Sequence, residues 1–230
     1  MSRRSMVEAI RKVPAAPIYG IVVTDFGGEP YEYELGWDDS ERDFQWALRL
    51  LRRAGVTSDD YILCTTPNHE LPWTSPFIRA FREIGATYVP AEQHSWDSRR
   101  FLAILDRLPI TVVFGLWPET LAAITDSRPD LQRVFSDTRL IWARPEANRQ
   151  LSAAGVQSLP FALLGPAVGL GLPDNDDLQV NGNEWEFCSR DGELIVSATT
   201  QRRTGLVDVP TGVRATVTAT KEGGTLVQLS

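Results

Sequence analysis

"RLLRRAGVTSDDYILCTTPN", residues 49–68, holds a helix end, a glycine stop and a short apolar strand in one run. Upstream of it Phe44, Ala47, Leu48 and Leu51 recur at i, i+3, i+4 and i+7, the stripe of an amphipathic helix over 43–54, and Gly55 supplies the left-handed residue that ends it. "DYILCTT" (60–66) then reads as a strand with apolar side chains toward both faces, so it needs cover on both sides. Helices before and after a doubly buried strand are the signature of a parallel sheet.

Working outward, the same unit repeats. Phe77, Ile78, Phe81 and Ile84 carry a helix that stops at Gly85, and "ATYVPAE" (86–92) follows as a strand. Ser98 opens a helix with the stripe Phe101, Ile104, Leu105 and Leu108, Pro109 ends it, and "TVVFGL" (111–116) is the next strand. A further helix starts at Pro118, a strand is "RLIWA" (139–143), and Pro145 opens a helix through about residue 154. The fold class is therefore α/β, a parallel sheet flanked by helices over roughly residues 15–158. After Leu159 the helix period disappears, and "LQVNGNEWEFCSR" (178–190), "GELIVSATT" (192–200), "VRATVTATK" (213–221) and "GGTLVQLS" (223–230) read as strands divided by polar turns, with a hairpin at 221–224. Two domains are expected, an α/β body over 1–159 and a smaller β-rich lobe over 160–230 that packs on it.

Composition narrows the partners. With 30 acidic against 23 cationic residues and a net charge of -7, the chain lacks the concentrated cationic face that nucleic acid requires. No signal-peptide core and no long apolar run stands in the sequence, so neither secretion nor a membrane is expected, and the cytoplasm is the expected location. Cys64 and Cys188 read as buried free thiols, and His69 and His94, the only histidines, are too few and too far apart for a zinc site; no metal is expected.

Taken together, residues 49–68, "AFREIGATYVPAE" (80–92) and "FLAILDRLPITVVFGLWPETLAAI" (101–124) resemble the acyl-CoA synthetase superfamily of adenylate-forming enzymes, particularly its phenylacetate-CoA ligase branch. "GPAVGLGLPDNDDLQVNGNEWEFCSRDGELIVSATT" (165–200) resembles the passage of that family that leads into a Gly-Glu-Leu strand, so the likeness runs over roughly residues 18–218. The resemblance implies the N-terminal part of an acyl-CoA synthetase, and it implies that the nucleotide machinery is degraded. "VVTDFGGEP" (22–30) falls where the family carries its Thr-Ser-Gly-Thr-Thr-Gly-Lys-Pro phosphate loop; Thr24, Gly27, Gly28 and Pro30 remain, while Asp25, Phe26 and Glu29 replace small, hydroxylated or cationic residues. Carboxylates beside a triphosphate repel it. The Tyr-Gly-x-Ser/Thr-Glu motif, whose ring meets adenine and whose Glu supports magnesium, corresponds to "SLPFALLG" (158–165), which holds no acid. The Arg-Tyr-Arg-Thr-Gly-Asp motif corresponds to "DVPTGVR" (208–214), with Val213 where an Asp holds the ribose and Asp208 where an Arg stands; Val accepts no hydrogen bond. The chain stops at Ser230, before the family's mobile C-terminal lid with its catalytic Lys, so the resemblance implies that the lid is absent. No ATP and no other cofactor is expected.

Ligand chemistry is expected at the carboxyl ends of the parallel strands. "TTPNHELPWTSPF" (65–77) places His69, Glu70 and Trp73 there, a titratable imidazole beside a carboxylate and an aromatic wall, in the segment that lines the acyl pocket of the resembled family; the alternative is a surface loop with Trp73 tucked into the core. "EQHSWDS" (92–98) offers Glu92, His94 and Trp96 on the same edge, although Asp97 or Ser98 can simply cap the next helix. Trp117 follows the next strand as a further wall or as core. Three readings stay open: a noncatalytic binder of a small acyl or aryl ligand, acting as a homodimer or beside a partner enzyme; an ATP-independent enzyme with His69 as acid/base and Glu70 as its partner; or a residual ligase that works with a partner chain.

Overall fold

The computed structural model describes residues 17–26, 29–219 and 224–230, with the side chains of Phe26, Glu29 and Asp176 left aside. Strand β1 (Ile18–Phe26) pairs antiparallel with β2 (Glu29–Gly36) in a two-stranded sheet of its own, Thr24 opposite Tyr31 and Asp25 opposite Pro30. Residues 22–26 and 29–30, compared above with a phosphate loop, are strand on either side of Gly27 and Gly28, which lie outside the described residues. Helix α1 (Trp37–Arg53) starts earlier than its apolar stripe, because the Asp39 carboxylate accepts the Gly36 N–H at 2.7 Å and seats the first turn.

The predicted alternation then follows: β3 (Tyr61–Cys64), a 3-10 turn over Asn68–Glu70, α2 (Leu71–Ile84), β4 (Thr87–Pro90), a 3-10 turn over Ser95–Asp97, α3 (Ser98–Arg107), β5 (Val112–Leu116), α4 (Pro118–Ser127), the short α5 (Leu131–Val134), β6 (Leu140–Ala143) and α6 (Pro145–Ala153). Beyond it come β7 (Leu159–Leu164), β8 (Ala167–Leu172), β9 (Asn175–Val180), β10 (Trp185–Arg190), β11 (Glu193–Ala198), β12 (Val209–Ala219) and β13 (Thr225–Leu229). The pattern reading missed β7 and β8, whose near-continuous apolar run hides the hairpin turn; Gly165, at φ 64°, makes that turn. Residues 178–190, read as one strand, are two, because the chain turns at Asn181, whose carbonyl accepts the Glu184 N–H at 3.0 Å.

Eleven strands form one sheet in the order β4-β3-β5-β6-β7-β8-β9-β13-β12-β11-β10. Pairing is parallel from β4 to β7 and antiparallel from β7 onward, so β7 joins the two patterns. Strict alternation sorts the parallel strands between two cores. Ile62, Cys64, Val112, Phe114 and Trp142 pack with Phe77 and Phe81 under α1 and α2, while Leu63, Val113 and Ile141 pack with Phe101, Leu121 and Leu151 under α3, α4 and α6. Each such side chain contributes about 1.5–3 kcal/mol of burial, so a one-residue slip in any of these strands would be prohibitive. A third core, which includes Val22, Tyr33, Trp73, Trp185 and Val196, ties the hairpin and α2 to the antiparallel strands.

Candidate functional site

Strands β5 and β6 end side by side and each hands the chain directly to a helix. Gly115, at φ 80°, lets β5 shift register between Phe114 and Leu116; a Cβ there would lie 2.7 Å from Thr66 Cγ2. The shift pairs Leu116 with Ala143, and the Arg144 N–H donates to the Leu116 carbonyl at 2.9 Å. Trp117 and Arg144 consequently occupy equivalent places, each the N-cap of a helix that begins on proline, Pro118 or Pro145. These two side chains line a cleft of about 590 Å³ between the helix starts, the 3-10 turn that ends at Glu70 and strands β7, β12 and β13.

Arg144 dominates the polar chemistry of the cleft. Its Nη2 donates to Glu70 Oε2, and the side chains of the pair are only 9% and 6% exposed. The guanidinium carbon lies 4.7 Å from the ring centroids of both Trp117 and Phe161. Burial pushes Glu70 above the usual carboxylate range despite the opposing Arg144 charge, and burial likewise draws Arg144 down against the pull of Glu70. Arg144 Nε and Trp117 Nε1 are both buried and have no hydrogen-bond partner among the described residues. Ala162, Leu163, Val213 and Leu229 add hydrocarbon to the lining, and Glu146, Arg149, Arg214 and Ser230 add polar groups.

Of the residues singled out from sequence, Glu70 and Trp117 line this cleft. His69 is exposed on the 3-10 turn, and among the described residues no hydrogen bond joins it to Glu70, whose carboxylate serves Arg144 instead. Trp73 belongs to the third core, with its indole N–H donating to the Gly165 carbonyl at 3.1 Å. Glu92, His94 and Trp96 form a separate group outside the cleft lining: Glu92 is exposed, His94 stacks on Trp96 at 5.7 Å between centroids, and His94 Nδ1 lies 3.8 Å from Glu119 Oε2. Asp97 stands at the N-cap of α3 without capping it; its carboxylate takes the Glu92 N–H at 2.8 Å and the Arg100 guanidinium at 2.7 Å. Thr24 and Asp25 sit on β1, also outside the lining, and Cys188 is exposed rather than buried. Among the described residues no group of three His, Cys, Asp or Glu could hold a metal ion, and no helix is long and apolar enough to cross a membrane.

Sequence reading missed Arg144. Its signal was an Arg-Pro pair directly after a buried strand, matching the Trp-Pro pair after β5.

No protein-family model and no curated protein matches the sequence. Solved structures do match. An open conformation of 2-hydroxyisobutyryl-CoA ligase in complex with 2-HIB-AMP and CoA superposes with a TM-score of 0.68 at 15% identity, over 94% of this chain and 57% of that one. The anthranilate CoA ligase AuaEII in complex with anthranoyl-AMP superposes with a TM-score of 0.61 at 14% identity, over 91% of this chain and 46% of that one. The fold is that of the N-terminal region of an adenylate-forming CoA ligase. At these identities the likeness shows the ligase fold alone, and the chain spans about half the length of these structures. Within the ligase fold, the segments compared above with the magnesium and ribose motifs supply Ala162, Leu163 and Val213 to one wall of the cleft.

Proposed function

We propose that this chain is a noncatalytic member of the adenylate-forming group, nearest its phenylacetate-CoA ligase branch, that holds a small acyl or aryl ligand in the cleft and does not adenylate it by itself. One observation carries the reading. Where the family resemblance calls for a magnesium ligand and a ribose clamp, the cleft presents the hydrocarbon of Leu163 and Val213, which accept nothing from a metal or a diol. Asp25 and Glu29 at the place of the phosphate loop point the same way, since both are acids. The cleft is nevertheless open and of small-molecule size: Trp73 is spent in the core, and Trp96, 70% exposed, stands away from the lining. Glu70 is engaged by Arg144, which leaves His69 without an acid/base partner and disfavours an enzyme built on that pair. A binder of this kind works in the cytoplasm as a homodimer or beside a partner enzyme.

Isothermal titration with magnesium-ATP and a pyrophosphate-release assay over a panel of carboxylic acids test the proposal. The expected result is no saturable nucleotide binding and no release. Saturable magnesium-ATP binding at micromolar concentration overturns it.

A further inference from the structure

The eleven-stranded sheet is open at both ends, and its two edge strands differ. Strand β4 has four residues and ends on Pro90, which has no N–H to offer a neighbour. At the other end β10 has six residues and no proline, and among the described residues only β11 pairs with it. The Thr199 N–H donates to the Glu184 carbonyl at 3.0 Å, which sets the alternation along the pair. The backbone groups of Glu186, Cys188 and Arg190 turn toward β11, and those of Phe187 and Ser189 turn outward. The outward N–H and C=O groups have no partner among the described residues, and a row of that kind is a template for another strand.

Charged side chains on an edge strand ordinarily ward off pairing. On β10 they are arranged to favour it. Glu186, Cys188 and Arg190 are exposed and share one face by strict alternation, with charges of opposite sign two residues to either side of Cys188. A second copy laid antiparallel along β10, about a two-fold axis through Cys188, sets Glu186 of each copy opposite the partner's Arg190 and the two Cys188 side chains face to face. The same register sets Phe187 opposite the partner's Ser189, so that outward backbone groups meet outward backbone groups. Centring the axis on Phe187 or Ser189 instead puts a charge opposite Cys188, so the charges select one register. Glu186 has no ion pair among the described residues, and Arg190, which meets Asp208 at 2.9 Å, has donors left in its fork.

We infer that β10 is a dimer strand, through which two copies of this chain pair antiparallel and join their sheets, with two Glu186–Arg190 ion pairs flanking the Cys188 thiols. This selects the homodimer of the two assemblies named above and is independent of what the cleft binds.

Two charge reversals test it in trans. Glu186→Arg sets cation against cation in a dimer of its own kind, and Arg190→Glu sets acid against acid. Each variant alone should dimerise about tenfold more weakly than wild type by sedimentation equilibrium. Mixed in equal amounts, the two variants face each other with every pair again opposite in sign, and the mixture should dimerise within about threefold of wild type. Cys188 gives a separate readout, because opposite residues at a non-hydrogen-bonded position have Cα atoms about 4.5 Å apart, within reach of a disulfide. Diamide, which takes one hydrogen from each of two thiols, should cross-link wild type and the mixture well and either variant alone poorly. Cys188→Ser should lose the cross-link and keep the dimer. If Arg190→Glu does not fold without its Asp208 pair, Glu186→Arg and the cross-link decide the matter. A wild-type chain that stays monomeric up to about 100 µM overturns the inference. So does a dimer that neither reversal weakens, or a mixture no better than its components. None of these results bears on the noncatalytic reading, which the magnesium-ATP titration judges.

Discussion

Replacing Arg144 by methionine leaves the Glu70 carboxylate 6% exposed and without its counter-charge. Breaking a buried ion pair from one side costs about 3–5 kcal/mol, because the surviving charge stays desolvated. The protein can reduce that cost by protonating Glu70, whose carboxyl burial already pushes upward. The sign follows from linkage. A carboxyl with a folded pKa above its unfolded value of about 4.3 binds more protons in the folded state, so stability is fullest below the unfolded value and falls as pH rises through the folded one. Arg144→Met should therefore be least stable at pH 8 and recover toward pH 5, by at most about 1.4 kcal/mol per pH unit. The double variant Glu70→Met with Arg144→Met removes both charges at similar volume and should lie within about 1 kcal/mol of wild type. Urea denaturation followed by far-ultraviolet circular dichroism at pH 5 and pH 8 measures all three. A loss under about 1 kcal/mol for the single variant at pH 8, or a double variant no better than the single, refutes the reasoning.

Three further outcomes are expected. Gly115→Ala forces a Cβ onto a φ of 80° and against Thr66, and should cost about 1–3 kcal/mol in a thermal melt; an unchanged melting temperature would show that the β5 shift is not needed. Arg202, its side chain 3% exposed, donates to Asp43 on α1 and to Glu184 before β10; Arg202→Met removes the guanidinium from Asp43 while Glu184 keeps Arg42 at 2.6 Å, and should cost about 3 kcal/mol by urea titration, with a loss below about 1 kcal/mol as the contrary result. Burial raises the Asp60 carboxyl, but bonds from Arg139, Thr111 and Thr57 outweigh it and hold it below 3.8. Stability from this group is thus present above its unfolded value and lost as pH falls through the folded one, so Asp60→Asn should flatten the dependence of melting temperature on pH below pH 4; parallel curves for variant and wild type would contradict this.

Periodicity located β3, β5 and β6 because they are buried on both faces, and burial on both faces writes an unbroken apolar run; β4, at the edge of the sheet, is largely exposed and does not share that property. In β3, Ile62, Leu63 and Cys64 show the run, since successive residues enter opposite cores. The same property concealed β7 and β8, where one long apolar run contains a turn that only the positive φ of Gly165 reveals. Trp73 and Trp96 could not be told apart from sequence. Both follow a strand and a polar stretch, yet Trp73, in the first turn of α2, reaches the Gly165 carbonyl, 92 residues away, and Trp96, on a 3-10 turn, lies 70% exposed.

Local chemistry therefore determined the alternation of elements and the hydrocarbon at Leu163 and Val213. Tertiary packing alone decided what gathers at the cleft. Glu70 and Arg144 are 74 residues apart in the chain, and no spacing rule pairs them. They meet because β3 and β6 flank β5 in a sheet order that differs from chain order, and because the shift at Gly115 brings the starts of α4 and α6 together above them.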